Sequence, residues 1–127
     1  MQEYLGGCHC GRVRFRVRTS LRRAVECNCS MCSKKAALLV RVAADAFELL
    51  SGGDDLDTYR FGTRRAAHHF CRHCGIHTFL NPRAAPQAYS INLRCLDDFP
   101  ACLGDTEIAA FDGQNWEQAV ARFPFSE

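Results

Sequence analysis

Seven of the nine cysteines sit in three tight clusters: Cys8-His9-Cys10, Cys27-Asn28-Cys29-Ser30-Met31-Cys32 and Cys71-Arg72-His73-Cys74. Thiolates two and three residues apart can converge on one soft metal ion, and Zn²⁺ is the usual occupant of tetrahedral sulfur sites. Few folds suit such a chain, because each site pins separate segments to one point. Seven ligands do not divide into two closed four-cysteine sites. The expected division is one complete site and one three-sulfur site with an open position, which is what separates a reactive metal from a structural one.

Spacing suggests which cysteines belong together. Cys71-x-x-Cys74-Gly75 has the form of a zinc knuckle, with Gly75 suited to the positive φ such a turn often needs. A single CxxC supplies two ligands and needs a partner pair. Cys8 and Cys10 fit, since residues i and i+2 of an extended backbone project from one face. Cys27, Cys29 and Cys32 can wrap three sulfurs round a second ion, and Asn28, Ser30 and Met31 are poor zinc ligands. A fourth ligand from His9, His68, His69, His73, His77, Cys95 or Cys102 is the closed alternative. Cys95 and Cys102 otherwise read as small buried hydrophobes. Disulfides are disfavoured by the odd count and by the strain of bridging i and i+2.

At 127 residues the chain is the size of one domain, with 47% hydrophobic residues and nine Phe for a core. No apolar run approaches the ~20 residues of a membrane span. A cysteine cluster by residue 8 leaves no room for a signal peptide, so a reducing cytoplasm is expected. Arg12 to Arg18 alternates charged and apolar residues and predicts a strand. Further strands are predicted over 36–42, 56–61, 76–80 and 88–93, with a weaker one over 106–111. Asn81-Pro82 ends the fourth run and residues 51–55 form a turn. Only 115–122 reads as helix, with Asn115 as its N-cap. The fold class is therefore mainly β, as one unit over 1–127.

Formal charge is +2, but seven metal-bound thiolates subtract seven and two Zn²⁺ add four, leaving −1. Nucleic acid is not indicated, although Arg12, Arg14, Arg16, Arg18, Arg22 and Arg23 form a basic stripe. Such a stripe is more simply a solvated strand face. Three thiolates and one Zn²⁺ also sum to −1, a poor water activator but a good receiver of an incoming thiolate. The implied substrate is a small thiol, and the implied chemistry makes or breaks a bond to its sulfur. Lys34 and Lys35 could meet the carboxylates of an acidic thiol. His68, His69, His73 and His77 crowd the knuckle without one standing out as a general base.

Gly6-Gly7-Cys8-His9-Cys10-Gly11-x-Val13-x-Phe15, Cys27-Asn28-Cys29-Ser30-x-Cys32-x-Lys34 and Phe70-Cys71-x-x-Cys74-Gly75 together resemble the glutathione-dependent formaldehyde-activating family, also called the CENP-V/GFA domain. The resemblance runs from about Gly6 to Ile91-Asn92. It implies a Mss4-like β-tent of small antiparallel sheets tied by zinc. It also implies a structural zinc on Cys8, Cys10, Cys71 and Cys74, and a second zinc on Cys27, Cys29 and Cys32 where glutathione acts. The implied activity joins formaldehyde and glutathione into S-hydroxymethylglutathione, as a carbon–sulfur lyase run in reverse. The competing function is a non-catalytic zinc-scaffolded module for a protein or chromatin partner, favoured by the arginine stripe.

Overall fold

The computed structural model describes residues 1–123, which fold into two sheets. β1 (Gln2–Gly7), β2 (Arg14–Thr19) and β5 (Phe47–Ser51) make a three-stranded sheet in the order β1-β2-β5. The larger sheet holds β3 (Arg23–Cys27), β4 (Leu39–Val42), β6 (Leu56–Tyr59), β7 (Ala67–Cys71), β8 (His77–Asn81), β9 (Tyr89–Asn92) and β10 (Glu107–Phe111). Its order is β10-β3-β4-β9-β8-β7-β6. All pairings are antiparallel except β3 with β10, which run parallel. Helix α1 (Ser30–Lys35) follows β3, and α2 (Trp116–Val120) follows β10. This is the mainly-β, Mss4-like tent expected.

Period-two alternation decides where the core lies. In β2, Phe15, Val17 and Thr19 are buried, while the arginines between them face outward. In the large sheet, cross-strand register lines up His69, Phe79, Ile91 and Val40 over β7, β8, β9 and β4. That row faces the small sheet. Phe47 of β5 packs 4.7 Å from Phe79 and 4.3 Å from Tyr89, and Phe15 lies 5.9 Å from Phe47, so an aromatic cluster joins the two sheets. Such pairs contribute ~0.5–1.5 kcal/mol each beyond the area they bury.

The neighbouring row, His68, Leu80, Ser90 and Arg41, points the opposite way. The small sheet leaves that face uncovered, and it becomes the wall of a cavity.

Several elements differ from the sequence reading. The strand predicted from Arg12 is β2 and begins at Arg14, because Cys8 N–H bonds the Val13 carbonyl at 3.0 Å and Val13 N–H reaches Cys8 Sγ at 3.3 Å, folding residues 8–13 into a turn. Residues 36–38 precede β4, because Ala36 is the left-handed C-cap of α1 at φ 52°. Helix α1 is a correction: the 30–35 segment inside the second cysteine motif is helical. β1, β3, β5 and β7 are additional strands. Asn115 precedes α2 but makes no cap bond, since its Nδ2 donates to Asp112 at 2.9 Å.

Candidate metal centres and the cavity beside them

Two groups of sulfurs gather in the fold. Cys8, Cys10, Cys71 and Cys74 place their sulfurs within 4.8 Å of one another, and so do Cys27, Cys29 and Cys32. Cys10 Sγ lies 3.6 Å from both Cys8 Sγ and Cys71 Sγ. Sulfurs at ~2.3 Å from a central tetrahedral ion would stand ~3.8 Å apart. The first group is therefore close to the shape of a sulfur-bound metal site, and both groups could hold a metal ion.

The four-sulfur group is built by two turns. Cys8 and Cys10 follow β1, while Cys71 closes β7 and Cys74 lies in the turn to β8. Gly75 N–H bonds the Cys71 carbonyl at 2.8 Å, and Gly75 sits at φ 78°, the expected left-handed position. Cys8 and Cys71 are buried. Hydrogen bonds from the backbone and side chain of Arg12 pull the Cys10 thiol down to about 6, favouring the thiolate that a metal requires.

The three-sulfur group is local. Cys27 ends β3, Cys29 is the N-cap of α1, and Cys32 lies in its first turn. Cys29 Sγ accepts the Cys32 N–H at 3.3 Å and Cys27 Sγ accepts the Cys29 N–H at 3.4 Å, so the helix start aims the sulfurs. Among themselves the thiols divide their protons unequally. Hydrogen bonds from Cys27 and Cys32 hold Cys29 far below its usual range, the bond with Cys29 pushes Cys27 up, and bonds with Cys27 and then Cys29 push Cys32 up. Among the described residues no fourth Cys, His, Asp or Glu joins this group within 4.8 Å.

Residues 111–114 cover one side of the three sulfurs. Parallel pairing of β10 with β3 sets Phe111 opposite Cys27, and Asn28 N–H bonds the Phe111 carbonyl at 3.1 Å. The Asn28 side chain then grips the next residues, donating to Asp112 Oδ1 at 3.0 Å and accepting from Gln114 N–H at 3.1 Å. Hydrogen bonds from Asn115 and Asn28 hold the Asp112 carboxyl below its ordinary range. Between them Gly113 presses on the site. A Cβ there would lie 2.6 Å from Cys27 Sγ and 2.7 Å from Cys29 Cβ, so only glycine fits without displacement. Sequence reading missed this clasp. Its one visible signal was the Asp112-Gly113 pair just after a predicted strand.

Cys27, Cys29 and Cys32 border a cavity of about 460 Å³, and none of the other four clustered cysteines does. Its walls include Leu39, Leu80, Phe61, Phe111 and Trp116, together with Arg41, Arg83 and His68. Lys34 and Lys35 do not line it. Lys34 is exposed, whereas half-buried Lys35 turns its Nζ to His68 Nδ1 at 3.0 Å. Burial, and then the Lys35 charge, push His68 down to about 4.

His69, His73 and His77 are engaged elsewhere, and His9 is exposed. His69 bonds Thr58 and Asn81, and His73 pairs with Asp55. His77 packs on Phe70, and burial pushes it down to about 4. Cys95 and Cys102 pack against the main core, as small hydrophobes do.

The sequence matches the family described as glutathione-dependent formaldehyde-activating enzyme over residues 3–112. The chain belongs to that family. The match takes in β10 and reaches Asp112, past the Ile91-Asn92 strand to which the resemblance was expected to run. This family member also resembles a Rhodobacter sphaeroides protein solved by crystallography as a Northeast Structural Genomics target. The two share 34% identity and a TM-score of 0.74, over 83% of this chain and 99% of the other.

The arginine stripe is largely committed to the fold of this family member. Arg14 forms a two-pronged pair with Asp97, Arg16 reaches Glu3 and Glu48, Arg18 bonds the Asp45 carbonyl, and Arg23 faces Glu107. Among the described residues no helix is long and apolar enough to cross a membrane.

Proposed function

We propose that this protein is a cytoplasmic, two-zinc enzyme of the carbon–sulfur lyase type. Its substrate is a thiol adduct such as S-hydroxymethylglutathione, formed from or released to glutathione and formaldehyde. The whole chain serves as one unit of this type, with zinc on Cys8, Cys10, Cys71 and Cys74 holding the fold and the second zinc on Cys27, Cys29 and Cys32. The observation that carries this reading is the asymmetry at the cavity, which the three-sulfur group borders and the four-sulfur group does not. When bound by three thiolates, zinc supplies a soft, weakly acidic centre with room for one more sulfur.

The chain's own residues do the rest. In the forward direction the substrate sulfur bonds to the aldehyde carbon, and the carbonyl oxygen takes up a proton equivalent to the one the thiol released. His68 lines the cavity and is held neutral by burial and the Lys35 charge, so it donates a hydrogen bond to that oxygen while solvent supplies the proton. A charged Lys35 can only donate, so Nδ1 of His68 accepts and the ring proton is carried on Nε2. Lys35, on α1 with the sulfurs, orients that ring from behind and is a positioning residue. Asn28 and Gly113 keep residues 111–114 against the sulfurs on the opposite side. The ion pairs along the arginine stripe weigh against the binding-module alternative, because those side chains are already bound within the fold.

Counting metal per chain and then titrating glutathione tests the proposal. Two zincs per chain are expected, with glutathione perturbing the one on Cys27, Cys29 and Cys32. A second site that ignores thiols, or a single zinc, would sink it.

A further inference from the structure

The cavity beside the three sulfurs is much larger than formaldehyde needs. At about 460 Å³ it lies in the range of sites that enclose small organic ligands. One wall is the outward row His68, Leu80, Ser90 and Arg41 of the large sheet, continued by Leu39 and Val25, whose register pairs across β4 and β3. Phe61, Phe111 and Trp116 add three aromatic rings. Two of these are held in place by stacking, Phe61 on His68 with ring centres 5.6 Å apart and Trp116 under the Arg83 guanidinium at 3.8 Å.

This space offers a ligand no free charge. Groups of both signs line it, two guanidiniums and three sulfurs, and all of them are engaged. Arg41 already has a partner within the fold, and Arg83 lies against Trp116. The three sulfurs face one another around the point where they would hold a metal, and His68 is neutral. Among the described residues no Asp, Glu or Lys lines the cavity, and its other polar side chains, Ser30, Thr63, Ser90 and Gln114, are uncharged. A charge buried here would lose its hydration with nothing to replace it. Glutathione carries a carboxylate and an ammonium on one side of its cysteine and a second carboxylate on the other. Neither arm fits such a space, so only its sulfur needs to reach Cys27, Cys29 and Cys32. The apolar interior is left to the second reactant.

We infer that this cavity takes the body of an aldehyde larger than formaldehyde, one that joins the reacting carbonyl to an uncharged aliphatic or aromatic group of about six to eight carbons. Leu39, Leu80, Phe61 and Trp116 cover that group while the carbonyl carbon meets the thiol sulfur at the three cysteines. The sulfur bonds to that carbon, the carbonyl π pair passes to oxygen, and solvent supplies a proton equivalent to the one the thiol released. A carboxylate next to the carbonyl is disfavoured, since it would lie beside three thiolates whose charge with Zn²⁺ sums to −1. This rests on the function proposed above, in that the sulfur is taken to lie at Cys27, Cys29 and Cys32.

Rates of adduct formation by the zinc-loaded full chain test it, with glutathione as the common thiol and formaldehyde, hexanal, phenylacetaldehyde and glyoxylate as electrophiles. Each kcat/KM is divided by the uncatalysed rate constant for the same aldehyde. Hexanal and phenylacetaldehyde should be accelerated about tenfold more than formaldehyde, and glyoxylate least of all. Trp116→Ala should cut that advantage to about threefold or less. Binding without chemistry is read from Trp116, the one tryptophan of the chain, whose emission should shift with 1-hexanol at concentrations where methanol has no effect. Metal content and thermal melting show whether the variant keeps its fold, and the wild-type ranking stands as a test without it. If formaldehyde or glyoxylate is accelerated as strongly as hexanal, if 1-hexanol leaves the emission unmoved, or if folded Trp116→Ala keeps the full advantage, the inference is overturned while the proposed function survives. If no aldehyde is accelerated at all, the proposed function fails and takes the inference with it.

Discussion

Cys8, Cys10, Cys71 and Cys74 come from two segments 61 residues apart at their closest, whereas Cys27, Cys29 and Cys32 lie within one strand end and one short helix. The first group ties β1 to the β7–β8 turn and packs with Val13, Leu49 and Leu56. The second closes no long loop and packs with Leu39 and Leu80 on the cavity face. Identical ligands thus have opposite consequences. A metal shared by distant segments removes chain entropy, so its binding energy becomes folding energy. A metal held by one short segment adds little to the fold, and its exposure to a cavity is free to serve chemistry.

Replacing one ligand in each group breaks the comparison most directly. Cys74→Ser should cost about 5 kcal/mol or more, the scale of the whole folding stability, and leave a largely unfolded chain by circular dichroism. Cys29→Ser should lose one metal per chain yet keep a cooperative melt within a few degrees of the parent. Equal damage from the two substitutions would mean that both groups hold the fold together.

The difference between the groups was partly legible in the sequence, because ligand spacing is a local property. CxC and CxxC motifs fix how few sulfurs one turn can present, and they indicated a four-plus-three partition. Alternation in Arg14–Thr19 likewise announced a strand with one buried face, and alternation in Tyr89–Asn92 announced a strand that the fold buries on both faces. What stayed hidden depends on pairing. Arg23–Cys27 is a strand because it lies between β10 and β4, and nothing within its five residues alternates cleanly. Helix α1 is concealed because it is short and its cap is a cysteine sulfur rather than Ser, Thr, Asp or Asn. The Gly113 clasp needs the parallel β3–β10 register, which joins residues more than eighty positions apart.

That clasp offers a finer way to separate the two groups. Gly113→Ala inserts a methyl group where the Cys27 sulfur and the Cys29 Cβ already stand. Metal affinity of the three-sulfur group should fall about 10- to 100-fold, as for other residues that shape a ligand shell. The four-sulfur metal and the melting temperature should hardly move. Competition with a chromophoric chelator resolves the two sites as weak and tight phases, and only the weak phase should shift.

A milder disturbance acts through Asn28. Asn28→Ala removes the side-chain bonds to Asp112 and Gln114 but leaves the backbone bond to Phe111 in place. The loss should be about 1 kcal/mol, because both bonds are exposed to water. Amide exchange at 111–114 should quicken several-fold, with a smaller fall in second-site affinity than for Gly113→Ala. If exchange quickens and the metal is unaffected, the clasp is separate from the sulfurs.

The smallest effect belongs to the four-sulfur end. Arg14 donates to both carboxylate oxygens of Asp97, at 2.9 and 2.6 Å, and Asp97 N–H bonds the Leu5 carbonyl at 3.0 Å on the strand that leads to Cys8. The Arg14 hydrogen bonds hold the Asp97 carboxyl below its ordinary range. A carboxylate lowered in the folded state stabilises it above the unfolded-state pKa, and that stability disappears as pH falls through the folded value. The difference between Asp97→Asn and the parent should therefore be flat from pH 8 to about pH 5 and shrink only below the ordinary carboxylate range. Asp97 is 48% exposed, so the pair should contribute no more than about 1 kcal/mol, and less in 1 M salt. Taking the difference between two proteins cancels the acid release of metal common to both. Because Asp97 lies on the loop-closing side of the molecule, its replacement should leave second-site metal affinity unchanged. A shift there would show that the two groups are coupled through the fold.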